Sequence, residues 1–186
     1  MRLFAAIPVP DMIKDYAWEI KNQLDVGLFD IKWVEYENYH LTLKFLGEVQ
    51  EHEIQGIKDR LQMAAEASPP INLFFGGLGF FPHRNRPRVI WLGAKGEIDK
   101  ADFLGERIDT YLQELGFDEE KKRSFHLTLG RIRSEKNQSR LLQQVGRMNE
   151  ISPSVPVKIN EFYLMESQLF SGGPQYIVQE KYELEG

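Results

Sequence analysis

The chain spells one four-residue word twice, His40-Leu41-Thr42-Leu43 and His126-Leu127-Thr128-Leu129. It has only four His and three Thr, too few for two such placements to arise by chance. Each copy lies in a run with strand character, Tyr39 to Leu46 and Phe125 to Ile132, in which successive side chains face opposite sides. His and Thr of each copy then share one face, and the two Leu side chains anchor the other face in a core. The two strands are equivalent points of a duplicated fold, and their differing flanks, Lys44-Phe45 after the first word and Gly130-Arg131 after the second, must supply any asymmetry between them.

The spacing extends beyond the words. Arg88-Val89-Ile90-Trp91-Leu92-Gly93-Ala94 repeats the pattern of Arg2-Leu3-Phe4-Ala5-Ala6-Ile7-Pro8 at the offset of 86 residues that separates His40 from His126, and Val157 follows Ile71 at the same offset. Apolar periodicity and turn residues mark the elements between. A strand over Arg2 to Ile7 stops at Pro8-Val9-Pro10, and a helix capped by Asp11 carries Ile13, Ala17, Ile20 and Leu24. A strand region from Ile31 through Trp33 and Val34 leads to the first word, and a helix over Glu51 to Ala67 follows. Ile71 to Phe81 reads as a strand with a bulge at Gly76-Gly77, Pro82 to Pro87 as a basic loop, and Arg88 to Ala94 as the next strand. After a helix over Ile98 to Leu115 comes the second word, then a helix over Ser139 to Met148 and strands over Val155 to Leu164 and Gln175 to Leu184.

Alternating helices and strands by themselves suggest a parallel doubly wound sheet. No Gly-rich phosphate loop opens a helix, however, and the two words occupy related halves, not one switch point. The expectation is an α+β fold: a bilobal duplicated arrangement over residues 1–186, one domain with two mostly antiparallel sheets facing across a central cleft and helices outside.

Composition narrows the chemistry. The chain has no Cys, which removes disulfides, thiolate nucleophiles and Cys-ligated zinc, and no apolar run long enough for a signal peptide or membrane span. A soluble, cytoplasmic monomer is expected. The formal net charge of −5 disfavours a protein that tracks many phosphates along a duplex, although Arg84, Arg86 and Arg88, Lys121, Lys122 and Arg123, and Arg131 and Arg133 concentrate positive charge locally.

Four readings compete for the paired words. Structural histidines account for one isolated His-x-Thr, but not for two at matching register. A metal site lacks a second His or carboxylate at ligand spacing, and Thr is a poor ligand. A nucleophilic triad lacks a Ser or Cys elbow; Ser124 is merely near His126 in sequence. General acid–base catalysis on a phosphate ester explains both residue types, because one imidazole accepts a proton while the other donates one, and Thr hydroxyls bind the non-bridging oxygens.

His40-Leu41-Thr42-Leu43-Lys44-Phe45-Leu46-Gly47-Glu48 and His126-Leu127-Thr128-Leu129-Gly130-Arg131 resemble the paired motifs of the two-histidine phosphoesterase superfamily, and within it the RNA 2′,3′-cyclic phosphodiesterases, also called 2′–5′ RNA ligase-like proteins. The resemblance extends to Arg2-Leu3-Phe4, Trp33-Val34, Pro87 to Leu92 and Ser167 to Tyr176. It implies hydrolysis of RNA or nucleotide 2′,3′-cyclic phosphates without metal or cofactor. His40 would be the proton donor to the departing 3′ oxygen, His126 the proton acceptor from water, and Thr42 and Thr128 the phosphate ligands. The residues alone are symmetric between donor and acceptor. Phe125 stands where the family commonly has Pro, which motivates an alternative: a nucleotide-binding module without turnover. Joining of RNA ends through a 2′–5′ linkage is a further alternative.

Strict alternation puts Arg131 on the face opposite His126, so phosphate binding by Arg131 requires a bulge or strand end. The same parity assigns Phe45 to the core instead of a base-stacking platform. Arg84, Arg86 and Arg88 are candidates for guiding an RNA terminus, and His52 and His83, lacking a partnering Thr, are expected at the surface.

Overall fold

The computed structural model describes residues 1–186. The elements are β1 (Arg2–Pro8), α1 (Asp11–Leu24), β2 (Ile31–Trp33), β3 (His40–Glu48), α2 (Ile54–Glu66), β4 (Ile71–His83), β5 (Arg86–Gly96), α3 (Ile98–Gln113), β6 (His126–Ile132), α4 (Gln138–Glu150), β7 (Val155–Ile159), β8 (Glu161–Phe170) and β9 (Gly173–Glu183). They form an α+β fold with two sheets, ordered β3-β1-β8-β9 and β2-β6-β5-β4-β7, in which every strand pair is antiparallel. The helices bury the stripes their spacing predicts, Ile13, Ala17, Ile20 and Leu24 on α1 and Ala101, Leu104, Ile108 and Leu112 on α3 among them. A contiguous core of 41 buried residues draws on both sheets and all four helices. No helix is long and apolar enough to cross a membrane.

The repeat is built with an exchange. The β1–β3 pair of the first half joins the β8–β9 pair of the second through β1 and β8, whereas β4 of the first half pairs with β5 of the second, so neither sheet comes from one half alone. The words nevertheless occupy matching places, β3 beside β1 and β6 beside β5.

Local expectations differ at three points. Asp11 is not the cap: Pro10 holds that position and Asp11 enters the first turn, where its carboxylate faces the positive end of the helix dipole. Pro82 to Pro87 is not a loop but the tip of the β4–β5 hairpin, with Pro82 opposite Pro87 and His83 opposite Arg86. Its residues are largely solvent-exposed because the hairpin outruns the core, and that exposure gives them a loop's composition. Val155 to Leu164 is two strands broken at Asn160, where the chain crosses between sheets; buried positions change phase there, from Val157 and Ile159 to Phe162 and Leu164.

Candidate active site

Both words carry a bulge at the same residue. Along β3, Lys44 pairs with Ala5 and Thr42 with Ala6, which leaves Leu43 as the extra residue. Along β6, Gly130 pairs with Ile90 and Thr128 with Trp91, which leaves Leu129. A bulge re-aims everything beyond it. Two consecutive residues therefore turn inward in each strand, Leu43 and Lys44, then Leu129 and Gly130, and the next one returns to the face of His and Thr. Arg131 is consequently exposed on the His126 face. Phe45 is not core, as alternation required: it is 69% exposed, beside Phe4 at a ring separation of 6.1 Å.

His40 is held by its neighbours in sequence. Asn38, in a single helical turn over Tyr36–Asn38 just ahead of β3, offers its backbone carbonyl 2.7 Å from His40 Nδ1. A carbonyl only accepts, so Nδ1 donates and Nε2 is left facing Thr42 Oγ1 at 3.0 Å. The Asn38 side chain in turn donates to the Pro174 carbonyl at 2.9 Å, which fastens the start of β9 against this corner. Phe4 and Tyr176 wall the ring at 5.1 and 5.2 Å between centroids. Burial pushes the His40 pKa below its ordinary value, and the bond to Asn38, which favours the protonated ring, opposes that push.

The surroundings of His126 differ. Phe81 and Trp91 pack against its ring at 4.6 and 5.6 Å, and burial lowers its pKa. Trp91 itself lies flat on Gly79, where a Cβ would come within 2.2 Å of the indole. Tyr176 links the two motifs: its ring touches His40, and the charge of Arg131 opposes the upward push of burial on its hydroxyl. Asn38, Tyr176, Phe81 and Trp91 are not among the site residues read from the sequence, since none belongs to a repeated word; Trp91 and Tyr176 lie in stretches that carry the family resemblance. Phe125, in place of Pro, is 9% exposed and fills a core position.

The family model for LigT-like phosphoesterases matches the chain twice, over residues 7–91 and 93–176, so its two copies begin 86 residues apart, as the words do. The chain belongs to the LigT-like phosphoesterase family. It is 34% identical over 178 residues to an RNA 2′,3′-cyclic phosphodiesterase of Archaeoglobus fulgidus, covering 95% of this chain and 96% of that one. It is 34% identical over 187 residues to the one of Thermotoga maritima, covering 100% and 97%. Among solved structures, a Thermus thermophilus protein superposes with a TM-score of 0.81 at 27% identity over 100% of this chain and 99% of that one. Escherichia coli LigT in apo form shares the fold, with a TM-score of 0.77 at 23% identity over 100% and 98%.

In this LigT-like phosphoesterase the basic residues do not act as one patch. Arg84, Arg86 and Arg88 are exposed at the β4–β5 hairpin, and Lys121 and Lys122 are exposed ahead of β6. Arg123 instead turns inward, its side chain 7% exposed and Nη2 2.8 Å from Asp109 Oδ2, close but not aligned as a hydrogen bond. His52 and His83 are exposed. No group of three or more His, Asp or Glu side chains is arranged to hold a metal ion.

Proposed function

We propose that this phosphoesterase hydrolyses RNA or nucleotide 2′,3′-cyclic phosphates to 2′-phosphomonoesters, without metal, by proton transfer between two imidazoles. The matched motif strands carry the reading: alternation puts an imidazole and a hydroxyl on one face of each, and the bulge beyond them returns a flanking residue to that face. His126, whose neutral form burial favours, takes a proton from water as the water oxygen bonds to phosphorus. The P–O3′ bond breaks, and His40 gives its Nε2 proton to the departing 3′ oxygen. The Nδ1 proton stays with the Asn38 carbonyl throughout. Thr42, Thr128 and Arg131 bind the non-bridging oxygens, where charge accumulates.

The direction of transfer is the one the family resemblance implies. The Asn38 carbonyl, a partner only His40 has, fixes the Nδ1 proton and leaves Nε2 facing Thr42, while burial lowers the pKa of both rings. The substrates are RNA ends or small cyclic nucleotides, met by a monomeric single domain in the cytoplasm. Phe125, the feature that motivated a binding module without turnover, sits in the core and leaves His126 on its strand.

Incubating the protein with a nucleoside 2′,3′-cyclic phosphate in excess chelator tests this reading. The expected product is the 2′-phosphomonoester. A 3′-phosphomonoester would reverse the assigned leaving group, and loss of turnover with chelator would remove metal independence. Incubation with RNA halves separates end joining from hydrolysis.

A further inference from the structure

We infer that the buried cluster of Lys44, Asp109 and Arg123 is a positioning device for the two imidazoles, tying the bulge after His40 to the segment that leads into His126. The inference rests on the two-imidazole reading. Leu43 is the extra residue of the first bulge, and its carbonyl accepts a hydrogen bond from Arg123 Nε at 2.7 Å. Arg123 lies three residues before His126, and its guanidinium meets Asp109 of α3. The other oxygen of Asp109 accepts from Lys44 Nζ at 2.8 Å, and Lys44 is the residue after Leu43. Lys44 also donates to the Asp118 carbonyl, and the Glu120 amide donates to Asp109 Oδ2 at 3.3 Å. The contacts close a ring through the first motif, α3 and the approach to the second.

Two observations argue for a geometric role beyond simple stability. Side chains of Lys44, Asp109 and Arg123 are 2%, 8% and 7% exposed, and ion clusters this buried are generally no more stabilising than apolar replacements of the same shape. What apolar residues would not reproduce is the bond to the Leu43 carbonyl and, with it, the tie between two motif strands that belong to different sheets. The bed for Arg123 is also shaped for it: a Cβ on Gly105, one turn before Asp109 on α3, would stand 2.5 Å from Arg123 Nε. At the place of Lys44 the second motif has Gly130, which packs under Ile31 and Trp33, so only the first bulge is tied by charge. A misplacement of about 1 Å between reacting groups can lower rates by roughly a hundredfold.

The test uses Arg123→Ala and Gly105→Ala in the full chain. Arg123→Ala should lower kcat on cytidine 2′,3′-cyclic phosphate by roughly 10- to 100-fold with KM little changed, and added guanidinium ion should restore part of the loss. Gly105→Ala, which favours the helix but crowds Arg123, should lower kcat without lowering Tm. A second readout needs no turnover. The Cε1 proton signals of His40 and His126, followed by NMR as inorganic phosphate is added, should shift together in the wild type and separate in Arg123→Ala. If both variants keep the wild-type kcat per folded molecule, or the two signals still shift together in Arg123→Ala, the positioning role is overturned. A wild type that turns over no cyclic phosphate sinks the hydrolase reading instead, and the NMR arm then decides the positioning role alone.

Discussion

Leu41→Ala and Phe45→Ala, made four residues apart on one strand, separate a bulged β3 from a regular one. Both positions have the same parity, so a regular strand would put both side chains in the core. In the bulged strand Leu41 is 0% exposed and Phe45 is 69% exposed. Truncating a fully buried Leu costs about 2–5 kcal/mol and a fully buried Phe about 3–5 kcal/mol. With only about a third of its side chain covered, Phe45→Ala should cost roughly 1–1.5 kcal/mol on that scale, while Leu41→Ala takes the full buried cost. In a chain of this size each kcal/mol lowers Tm by about 2–4 °C, so Phe45→Ala should melt only a few degrees below the wild type. Urea unfolding gives the same comparison as a shift in midpoint at constant slope. A loss of about 3 kcal/mol or more on Phe45→Ala, as large as that of Leu41→Ala, would put Phe45 in the core and refute the bulge.

Three further outcomes follow. Asp109→Asn removes the only carboxylate that touches both Lys44 and Arg123, and stranding buried cations in this way should cost about 3–5 kcal/mol by urea unfolding; a cost below about 1 kcal/mol, typical of surface pairs, would contradict the buried cluster. Gly79→Ala should displace Trp91, one wall of the His126 pocket, and lower kcat; unchanged kcat would show that Trp91 does not position the ring. Because burial holds His40 and His126 below the ordinary imidazole pKa of 6.5, unfolding takes up protons on both rings. Their contribution is present above pH 6.5 and is lost as pH falls toward the folded values. A bound phosphate anion raises both pKa values, so the bell for kcat should lie at higher pH than that for kcat/KM, and coincident bells would contradict it.

The repeated word and its common offset are written in the sequence, and with them the two motif strands and the duplicated architecture. What local pattern does not carry is where one strand re-pairs with another. The bulges at Leu43 and Leu129 depend on the partners Ala5 and Ala6, and Ile90 and Trp91, and they decide which way Phe45 and Arg131 point. Lys44 is an inward charge whose carboxylate partner stands 65 residues away, a distance at which charge pairing leaves no local trace. The exchange of strands between halves is equally nonlocal. The switch at Asn160, by contrast, is readable as a change of phase between Ile159 and Phe162. Asn38 and Tyr176 reach His40 from outside the word, one through a backbone carbonyl that any residue has and one from the far end of the chain.

In the proposed mechanism His40 protonates the departing oxygen and His126 deprotonates water. A pair of substrates tests it most directly: a nucleoside 2′,3′-cyclic phosphate, and its analogue with sulfur at the 3′ position, which departs as a thiolate and needs no proton. On the oxygen substrate His40→Ala and His126→Ala should each lose roughly a hundred- to ten-thousandfold in kcat. On the sulfur substrate His40→Ala should recover most of its loss, and His126→Ala should stay impaired. Recovery by His126→Ala with His40→Ala still impaired would exchange the two roles, and full activity of either variant on the oxygen substrate would contradict the two-imidazole mechanism.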